Sequence, residues 1–386
     1  MVNPIGPIVD ADEGFHHQVS DTFAVVGTSD PAWTEKVCAM AMTRDGSVQL
    51  GFGMGKYTNR NVLDAYGAVS RGKTQWTVRA SRALSSDPEG TAVAPIRYEV
   101  LEPMRVTRFA LDANDVVPVS FEWTFESVLP PTLEERTVHQ DGYRTSADLV
   151  RYHQIGVGTG WVEVEGERTE LVSGDCVSTR DHSWGVRYGV GLQPPDVPEV
   201  DALAGLGFQM VWCPLLFERN DGSRYGMLLH FQIVTAPGLG IVHKIVMGGV
   251  EHADGTYEPW LDLAPGLTYD PVNRRLLGGV IRATTGDGVT RELAVDVLGA
   301  TGVQLGAGLY FGFDGHHHGE WRGQHNVDGE KIDDCTTREN AERLHQIRDT
   351  TIRVTDPVGG GVGLGNCQPI VTGTHPDLGL GDDTFW

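Results

Sequence analysis

Residues 208–234 read FQMVWCPLLFERNDGSRYGMLLHFQIV and contain the pattern that decides the fold class. Two apolar runs flank the pair Asp221-Gly222, which is a strong signal for the turn of a β-hairpin. Comparable short runs, rich in Val, Thr, Trp and Phe and partly alternating polar with apolar residues, recur along the chain, for example KTQWTVRASRAL and VPVSFEWTFESV. The pattern predicts a mainly antiparallel all-β protein, closed into barrels or sandwiched.

Helical signals are few. Asp30-Pro31 predicts the cap of a short helix near Trp33. The segment TTRENAERLHQ, residues 336–346, predicts two or three helical turns. We therefore expect short helices that do not cover a whole sheet.

Composition limits the function classes. The 386 residues carry a formal net charge of −22, which would repel a nucleic acid or an anionic membrane surface, so we expect neither as a partner. There is no apolar run of about 18 residues or more and no signal-peptide pattern. Five cysteines are widely spaced without a CxxC pair, which fits reduced thiols in the cytoplasm: Cys38, Cys176, Cys213, Cys335 and Cys367.

A Pro-rich stretch at the middle of the chain predicts a domain boundary. Residues 191–207 read GLQPPDVPEVDALAGLG and are stiff and poor in backbone donors. We expect an N-terminal domain at 1–193, a linker at 194–206 and a C-terminal domain at 207–386. Each half also has a Trp, an acidic-Gly-Glu turn and an Asp-Cys pair, in 158–176 and 317–335. This match favours a tandem duplication with hairpin tips at VEGE and VDGE.

The stretch RDHSWGVR, residues 180–187, closes the first half and carries a resemblance to known proteins. With two β-rich halves it resembles the AttH and carotenoid-hydratase group, which includes hydroxyneurosporene synthase, over roughly residues 20–380. HHHGEWRGQHNVDGEKIDDC and VTGTHPDLGL look like the bacterial branch of that group. The resemblance implies two lipocalin-like β-barrels or half-barrels in tandem and an apolar, often isoprenoid, ligand.

The same resemblance implies a site. Carotenoid hydratases have a His-x-Trp pair at the active site, and His182-Ser183-Trp184 matches it. They also have a Tyr-x-Asp pair in a following strand, which has no match between Phe208 and His230.

Strand alternation separates the charged residues of RDHSWGVR. Arg180, His182 and Trp184 should lie on one face, with Asp181 on the other. We expect the His182 face to line an enclosed cavity, where the imidazole carries a proton and the indole stabilises a cation by about 0.5–2 kcal/mol. In the alternative reading, the arginines pair with carboxylates of neighbouring strands and Trp184 fills the domain junction. The catalytic candidates are His182, Asp181 and Asp314, and the substrate-binding candidates are Trp184, Arg180, Arg187, Tyr225, His318 and Trp321.

A second polar cluster, FDGHHHGEW, occupies residues 313–321. If it forms a strand, Asp314, His316 and His318 share one face. Several histidines on one face can bind zinc, but no partner ligands occur at zinc-like spacing, so we expect no metal and no cofactor. Solvated histidines in a turn, or substrate contact through His318, remain as alternatives.

Together these features predict a hydratase or lyase of acid–base type. It would act without a cofactor on a small hydrophobic substrate, such as a terpenoid, steroid-like or aromatic molecule, in a β-barrel cavity. A non-catalytic carrier of a hydrophobic ligand is the alternative, and a structural protein with a polar barrel interior is a third option. An enzyme should hold a titratable group inside its cavity, whereas a carrier can have an apolar one. A homodimer is left open.

Overall fold

The structure is a computed structural model, and it describes residues 10–13, 15, 17, 20–84, 90–192, 196–197, 203, 205–344 and 347–381. The predicted all-β fold class is confirmed. The first thirteen strands are β1 (Trp33–Thr43), β2 (Gln49–Tyr57), β3 (Val62–Arg71), β4 (Thr74–Ala83), β5 (Ala92–Val93), β6 (Ile96–Glu102), β7 (Val106–Leu111), β8 (Val119–Ser127), β9 (Thr132–Leu133), β10 (Thr137–Asp141), β11 (Arg144–Val164), β12 (Glu167–Leu171) and β13 (Cys176–Val186).

The described residues of the second half form ten further strands and one α-helix. They are β14 (Gly207–Glu218), β15 (Arg224–Ala236), β16 (Gly240–Glu251), β17 (Tyr257–Tyr269), β18 (Leu276–Thr285), β19 (Thr290–Val297), β20 (Val303–Gln304), β21 (His325–Ile332), α1 (Arg338–Arg343), β22 (Arg348–Thr355) and β23 (Val362–Thr372). Across the described part of the chain, no helix is long and apolar enough to span a bilayer.

The first half forms one large antiparallel sheet that curls into a half-barrel. Its strand order is β21-β4-β3-β2-β1-β13-β11-β8-β7-β6-β5, and β9, β10 and β12 also pair with β11. The concave side holds an aromatic core that includes Phe52, Phe109, Phe121 and Trp123. The inward-facing residues of each strand supply this core because side chains alternate between the two faces.

The second half forms a closed barrel. The order β19-β18-β17-β16-β15-β14-β23-β22 returns on itself because β19 also pairs with β22. Residues 208–234 form the β14–β15 hairpin as predicted, and Gly222 adopts a φ of 80° in its turn, which a residue with a side chain seldom does. At the hairpin end Phe217 stacks on Tyr225 with ring centroids 4.7 Å apart.

The two halves share a strand and a core. Strand β21 comes from the second half but pairs with β4 from His325–Arg82 to Ile332–Gln75, and it covers that edge of the first sheet. A separate apolar cluster joins Met42 and Ile155 to Leu216 and Leu364. Most of the predicted linker at 194–206 lies outside the described residues, so the domain boundaries stay a prediction.

Two local predictions are wrong. VDGE, at 327–330, lies inside β21 rather than in a turn, and the backbone oxygen of Thr77 would lie 2.3 Å from a Cβ at Gly329. Gly329 therefore allows β21 and β4 to lie close together. Glu165 and Gly166 of VEGE do form a turn, with positive φ. Asp30 does not cap a helix: its carboxylate accepts the Ala32 N–H at 2.8 Å just before β1.

Candidate active site

Strand β13 sits between β1 and β11, and its register decides which residues meet. His182 lies opposite Val37 of β1 and Tyr152 of β11. Arg180 lies opposite Ala39 and Gln154. Because side chains alternate, His182, Arg180 and Trp184 lie on the barrel side of the sheet, and Asp181 lies on the side of the domain junction.

A cavity of about 360 Å³ opens at the mouth of the first half-barrel. Its wall is largely apolar, which suits a small hydrophobic molecule. Three charged residues, Glu35, Lys36 and Lys56, and one imidazole, His182, interrupt the apolar surface. The lining comprises Ala11, Phe23, Ala24, Glu35, Lys36, Val37, Met54, Lys56, Leu63, Gly90, Thr91, Tyr98 and His182.

His182 is held by a hydrogen bond at each ring nitrogen. Its Nε2 lies 2.9 Å from Glu35 Oε1, and its Nδ1 lies 3.2 Å from the Tyr152 hydroxyl. The hydrogen bond from His182 is the main reason that the pKa of Glu35 is lowered, and Lys56 adds to it. Glu35 therefore stays a carboxylate and orients the imidazole.

Arg180 is a buried cation whose contacts are all with neutral groups. It is 3% exposed. One terminal nitrogen donates to Gln154 Oε1 and lies 3.4 Å from the Tyr152 hydroxyl, and the other lies 3.5 Å from the Tyr98 hydroxyl. The predicted alternative, an ion pair with a neighbouring carboxylate, is not found among its described contacts. Its charge lies next to Tyr98, a residue of the cavity wall.

Trp184 lies beside His182 rather than in the described lining of the cavity. Its ring is perpendicular to the imidazole with centroids 6.0 Å apart, and it lies 6.4 Å from the ring of Tyr152. The indole therefore lies near the rings of His182 and Tyr152 and does not form the wall next to a ligand.

Asp181 and Arg187 belong to the other side of the sheet. Burial raises the pKa of Asp181, although Arg151 and Arg187 act in the opposite direction. Arg187 donates to the Ser183 hydroxyl at 2.5 Å. These residues face the domain junction and are not part of the His182 group.

Residues 313–321 do not form a strand, so the face proposed for Asp314, His316 and His318 does not exist. Positive φ angles at Asp314, Gly315 and Gly319 turn the chain repeatedly. His316 pairs with Glu320 at 2.9 Å. In the described ranges no group of three or more His, Cys, Asp or Glu side chains is arranged to hold a metal ion.

His318 is buried against Lys36 instead. Its Nε2 lies 3.0 Å from Lys36 Nζ, and its Nδ1 lies 3.6 Å from Asp64 Oδ2. Burial and then the lysine charge lower the pKa of His318 to about 4, and burial lowers the pKa of Lys36 to about 8. Although Lys36 borders the cavity, its side chain lies on the Asp181 face of the sheet, because Lys36 is opposite Ser183 of β13.

The other three candidates lie apart from the cavity. Asp314 forms an ion pair with Arg343, whose Nε is 3.1 Å from Oδ1. The Tyr225 hydroxyl donates to Asp356 at 3.0 Å inside the second barrel, and Trp321 is 49% exposed. The structure therefore does not bring Asp314, Tyr225 or Trp321 to His182.

A buried ionic network at the domain junction was not predicted. His153 of β11 is fully buried, with Nδ1 3.1 Å from Glu134 and Nε2 2.7 Å from Glu251 of the second barrel. Burial alone would lower the pKa of His153, but the two carboxylates outweigh it and raise the pKa to about 10. Arg151 and Trp212 also donate to Glu134, at 2.6 and 3.1 Å.

The partners Glu35 and Tyr152 were missed as well. His182 and Glu35 are 147 positions apart, and only strand pairing brings them together. One signal was available: in WTEKV, period-two alternation places Glu35 on the face of the apolar Val37.

A family model described as a family of unknown function (DUF8625) matches residues 8–380. The chain belongs to this family. No curated protein matches its sequence significantly. Among solved structures it is similar to a Nitrosomonas europaea protein assigned as AttH, at 12% identity over 87% of this chain and 91% of that chain, with a TM-score of 0.49.

Two further similar structures are a hydratase and the protein CghA. Kievitone hydratase of Nectria haematococca shares 12% identity over 90% of this chain and 93% of its own, with a TM-score of 0.41. CghA shares 11% identity over 89% and 90%, with a TM-score of 0.44.

Proposed function

We propose that this protein is a lyase that adds water to, or removes it from, a small hydrophobic molecule in the cavity of the first half-barrel. The observation that carries the proposal is the hydrogen-bonded chain Glu35–His182–Tyr152 at the wall of that cavity. Histidine is the side chain best suited to move protons near neutral pH, and a carboxylate on one nitrogen sets its orientation.

The charge behind the cavity wall indicates the polarity of the reaction. Arg180 holds a buried positive charge against Tyr98, so an intermediate with negative charge is stabilised and a carbocation is not. Water elimination next to a carbonyl passes through such an anion, an enolate. Terpenoid, steroid-like and aromatic ketones all belong to this substrate class.

A balanced sequence needs one proton carrier. Neutral His182 donates Nε2–H to Glu35 and takes the proton from the carbon next to the carbonyl at Nδ1, where the substrate displaces the Tyr152 hydroxyl; the electron pair of that C–H bond forms the enolate. The enolate then expels the hydroxyl from the β-carbon, and His182 returns the proton to it so that water leaves. Hydration is the same sequence reversed, and no cofactor enters the balance.

A carrier remains the second candidate, but the lining favours an enzyme. A barrel that only stores an apolar molecule does not need a His–Glu pair in its wall. When an apolar molecule covers such polar groups, their loss of contact with water weakens binding. The predicted discriminator between the two classes was a titratable group inside the cavity, and His182 and Glu35 are such groups.

The test compares His182→Gln with a matched control. His252→Gln removes a similar histidine from the second barrel: its Nε2 lies 2.9 Å from Glu258, with exposures of 28% and 49% against 21% and 55% for His182 and Glu35. Benzalacetone and carvone serve as enone probes. Mass spectrometry in H₂¹⁸O detects hydration, proton NMR in D₂O detects exchange at the carbon next to the carbonyl, and calorimetry measures binding.

We expect His182→Gln to lower the rate by about 10²–10⁴ while binding changes little, since proton transfer contributes about that much. His252→Gln should behave like the wild type. Wild-type rates in His182→Gln would refute the assignment of His182. Tight binding of the ketones by the wild type without hydration or exchange would make the protein a carrier.

A further inference from the structure

The second barrel is split along one side. Strand β16 pairs with β15 from Gly240–Ala236 to Glu251–Gly226. Its ladder with β17 includes only Gly249–Pro259, Val250–Glu258 and Glu251–Tyr257. Residues 240–248 of β16 and 260–269 of β17 therefore diverge, and the first nine residues of β16 are exposed or only partly buried.

The split opens into a pocket of about 570 Å³ at the end of the barrel, larger than the cavity at His182. Register places its inner wall: Ile233 lies opposite Lys244, and Thr235 lies opposite Ile241, so all four share the face that lines the pocket. Pro265 of β17 and Leu378 of the C-terminal segment complete an apolar surface. A volume of this size is typical of small-molecule sites.

Two buried polar side chains of this pocket, Gln209 and His375, offer hydrogen-bond acceptors to a ligand. Buried Gln209 uses its amide nitrogen to donate to the Tyr269 hydroxyl at 2.8 Å, so its amide oxygen is the end left for a ligand. His375 directs Nε2 at the carbonyl oxygens of Thr372 and Phe208, at 2.9 and 3.3 Å. Nε2 therefore carries the proton, and since burial lowers the pKa of His375, the neutral ring leaves Nδ1 as an acceptor.

The charged side chains around the pocket do not favour an acidic ligand. Lys244 is neutralised at the rim by Asp262, 2.5 Å from its Nζ, and Asp377 adds a negative charge to the lining. A carboxylate would meet two acceptors and these two aspartates. A neutral molecule with a hydroxyl donor matches the acceptors and leaves its apolar part for Ile233, Ile241 and Pro265.

We propose that the pocket at the open end of the second barrel is a separate binding site for a neutral, apolar alcohol, which enters through the split between β16 and β17. The site does not depend on the chemistry proposed for His182. It gives the second barrel a ligand of its own.

Two adjacent residues of β16 provide a matched pair of variants. Ile241 is 58% exposed and lines the pocket, whereas Val242 is 49% exposed and is not part of its described lining. Ile241→Asp and Val242→Asp therefore add the same charge at similar exposure, one inside the site and one beside it. Both positions are open enough for the fold to tolerate the change, which circular dichroism checks.

The experiment is a displacement titration on the full chain. The fluorophore N-phenyl-1-naphthylamine, neutral and apolar, reports occupancy, and 1-decanol, decanoate and decyl methyl ether compete. We expect decanol to displace the fluorophore at least tenfold more effectively than either competitor. Ile241→Asp should weaken displacement of the fluorophore by decanol at least tenfold, and Val242→Asp should leave that displacement within twofold of the wild type.

A second variant tests the acceptor itself. Gln209→Leu should make decanol no better a competitor than decyl methyl ether, while the fluorophore still binds. Equal displacement by decanol in Ile241→Asp and in the wild type would overturn the site. Decanoate or the ether competing as well as decanol would overturn the ligand class.

Discussion

Replacing His153 by glutamine tests the strongest ionic contact between the two halves. His153 is fully buried, and Glu134 and Glu251 are each 5% exposed. A glutamine amide has one donor group and carries no charge, so it can serve only one of the two carboxylates. Arg151 and Trp212 also bind Glu134, so Glu251 is the carboxylate that is left as a buried, uncompensated charge.

Two routes give the size of the effect. Breaking a buried ion pair from one side costs about 3–5 kcal/mol. The pKa of His153 rises from 6.5 to about 10, which at about 1.4 kcal/mol per unit corresponds to ~5 kcal/mol of stability. Because the folded-state pKa is the higher one, this contribution is fully present below about pH 6.5 and is lost as pH rises through about 10.

Urea denaturation followed by tryptophan fluorescence at pH 7 and pH 10.5 measures both consequences. We expect His153→Gln to lower the free energy of unfolding by about 3–5 kcal/mol at pH 7, and the gap to the wild type to shrink at pH 10.5. His252→Gln, at an exposed His–Glu pair, should cost at most about 1 kcal/mol. A loss below 1 kcal/mol at pH 7, with no change in the gap at pH 10.5, would refute the account of the junction.

Three further outcomes follow from individual side chains. Asp314→Asn should leave turnover of the ketone probes unchanged. It should lower the free energy of unfolding measured in urea by at most about 1 kcal/mol, because the Asp314–Arg343 ion pair lies at the surface. A large loss of rate would instead assign Asp314 to the active site. Gly53→Ala should lower the melting temperature, because its Cβ would lie 2.3 Å from the ring of Tyr66, whereas Gly27→Ala, with open space around it, should not. Burial raises the pKa of Asp349 to about 6, so its contribution to the free energy of unfolding falls as pH rises from about 4 to 6. The loss of free energy of unfolding caused by Asp349→Asn, measured in urea, should therefore be smaller at pH 7 than at pH 4.

The sequence predicted what depends on local periodicity. The hairpin at 208–234 followed from two apolar runs around one Asp-Gly pair, and the separation of His182 from Asp181 followed from alternation within one strand. The helix at 336–346 also exists, as α1, with Thr337 accepting the Asn340 N–H at its start.

Partners on distant strands could not be predicted. Glu35 and Tyr152 reach His182 only through the order β1-β13-β11, which no local pattern encodes. The prediction failed at 313–321 for a different reason. The pair Asp314-Gly315 is a turn signal of the same kind as Asp221-Gly222, and the strand interpretation of the histidine run overlooked it.

Strand β11 connects the stability of the junction to the geometry of the site. Its consecutive residues Tyr152 and His153 point to opposite faces, one into the first barrel and one into the junction. Carboxylates from both halves hold His153 at both ring nitrogens, so the backbone at this point cannot shift without breaking a buried contact. The Tyr152 hydroxyl, which holds Nδ1 of His182, is therefore fixed by the docking of the second barrel. The ionic network thus positions His182, the proposed proton carrier, without touching a substrate.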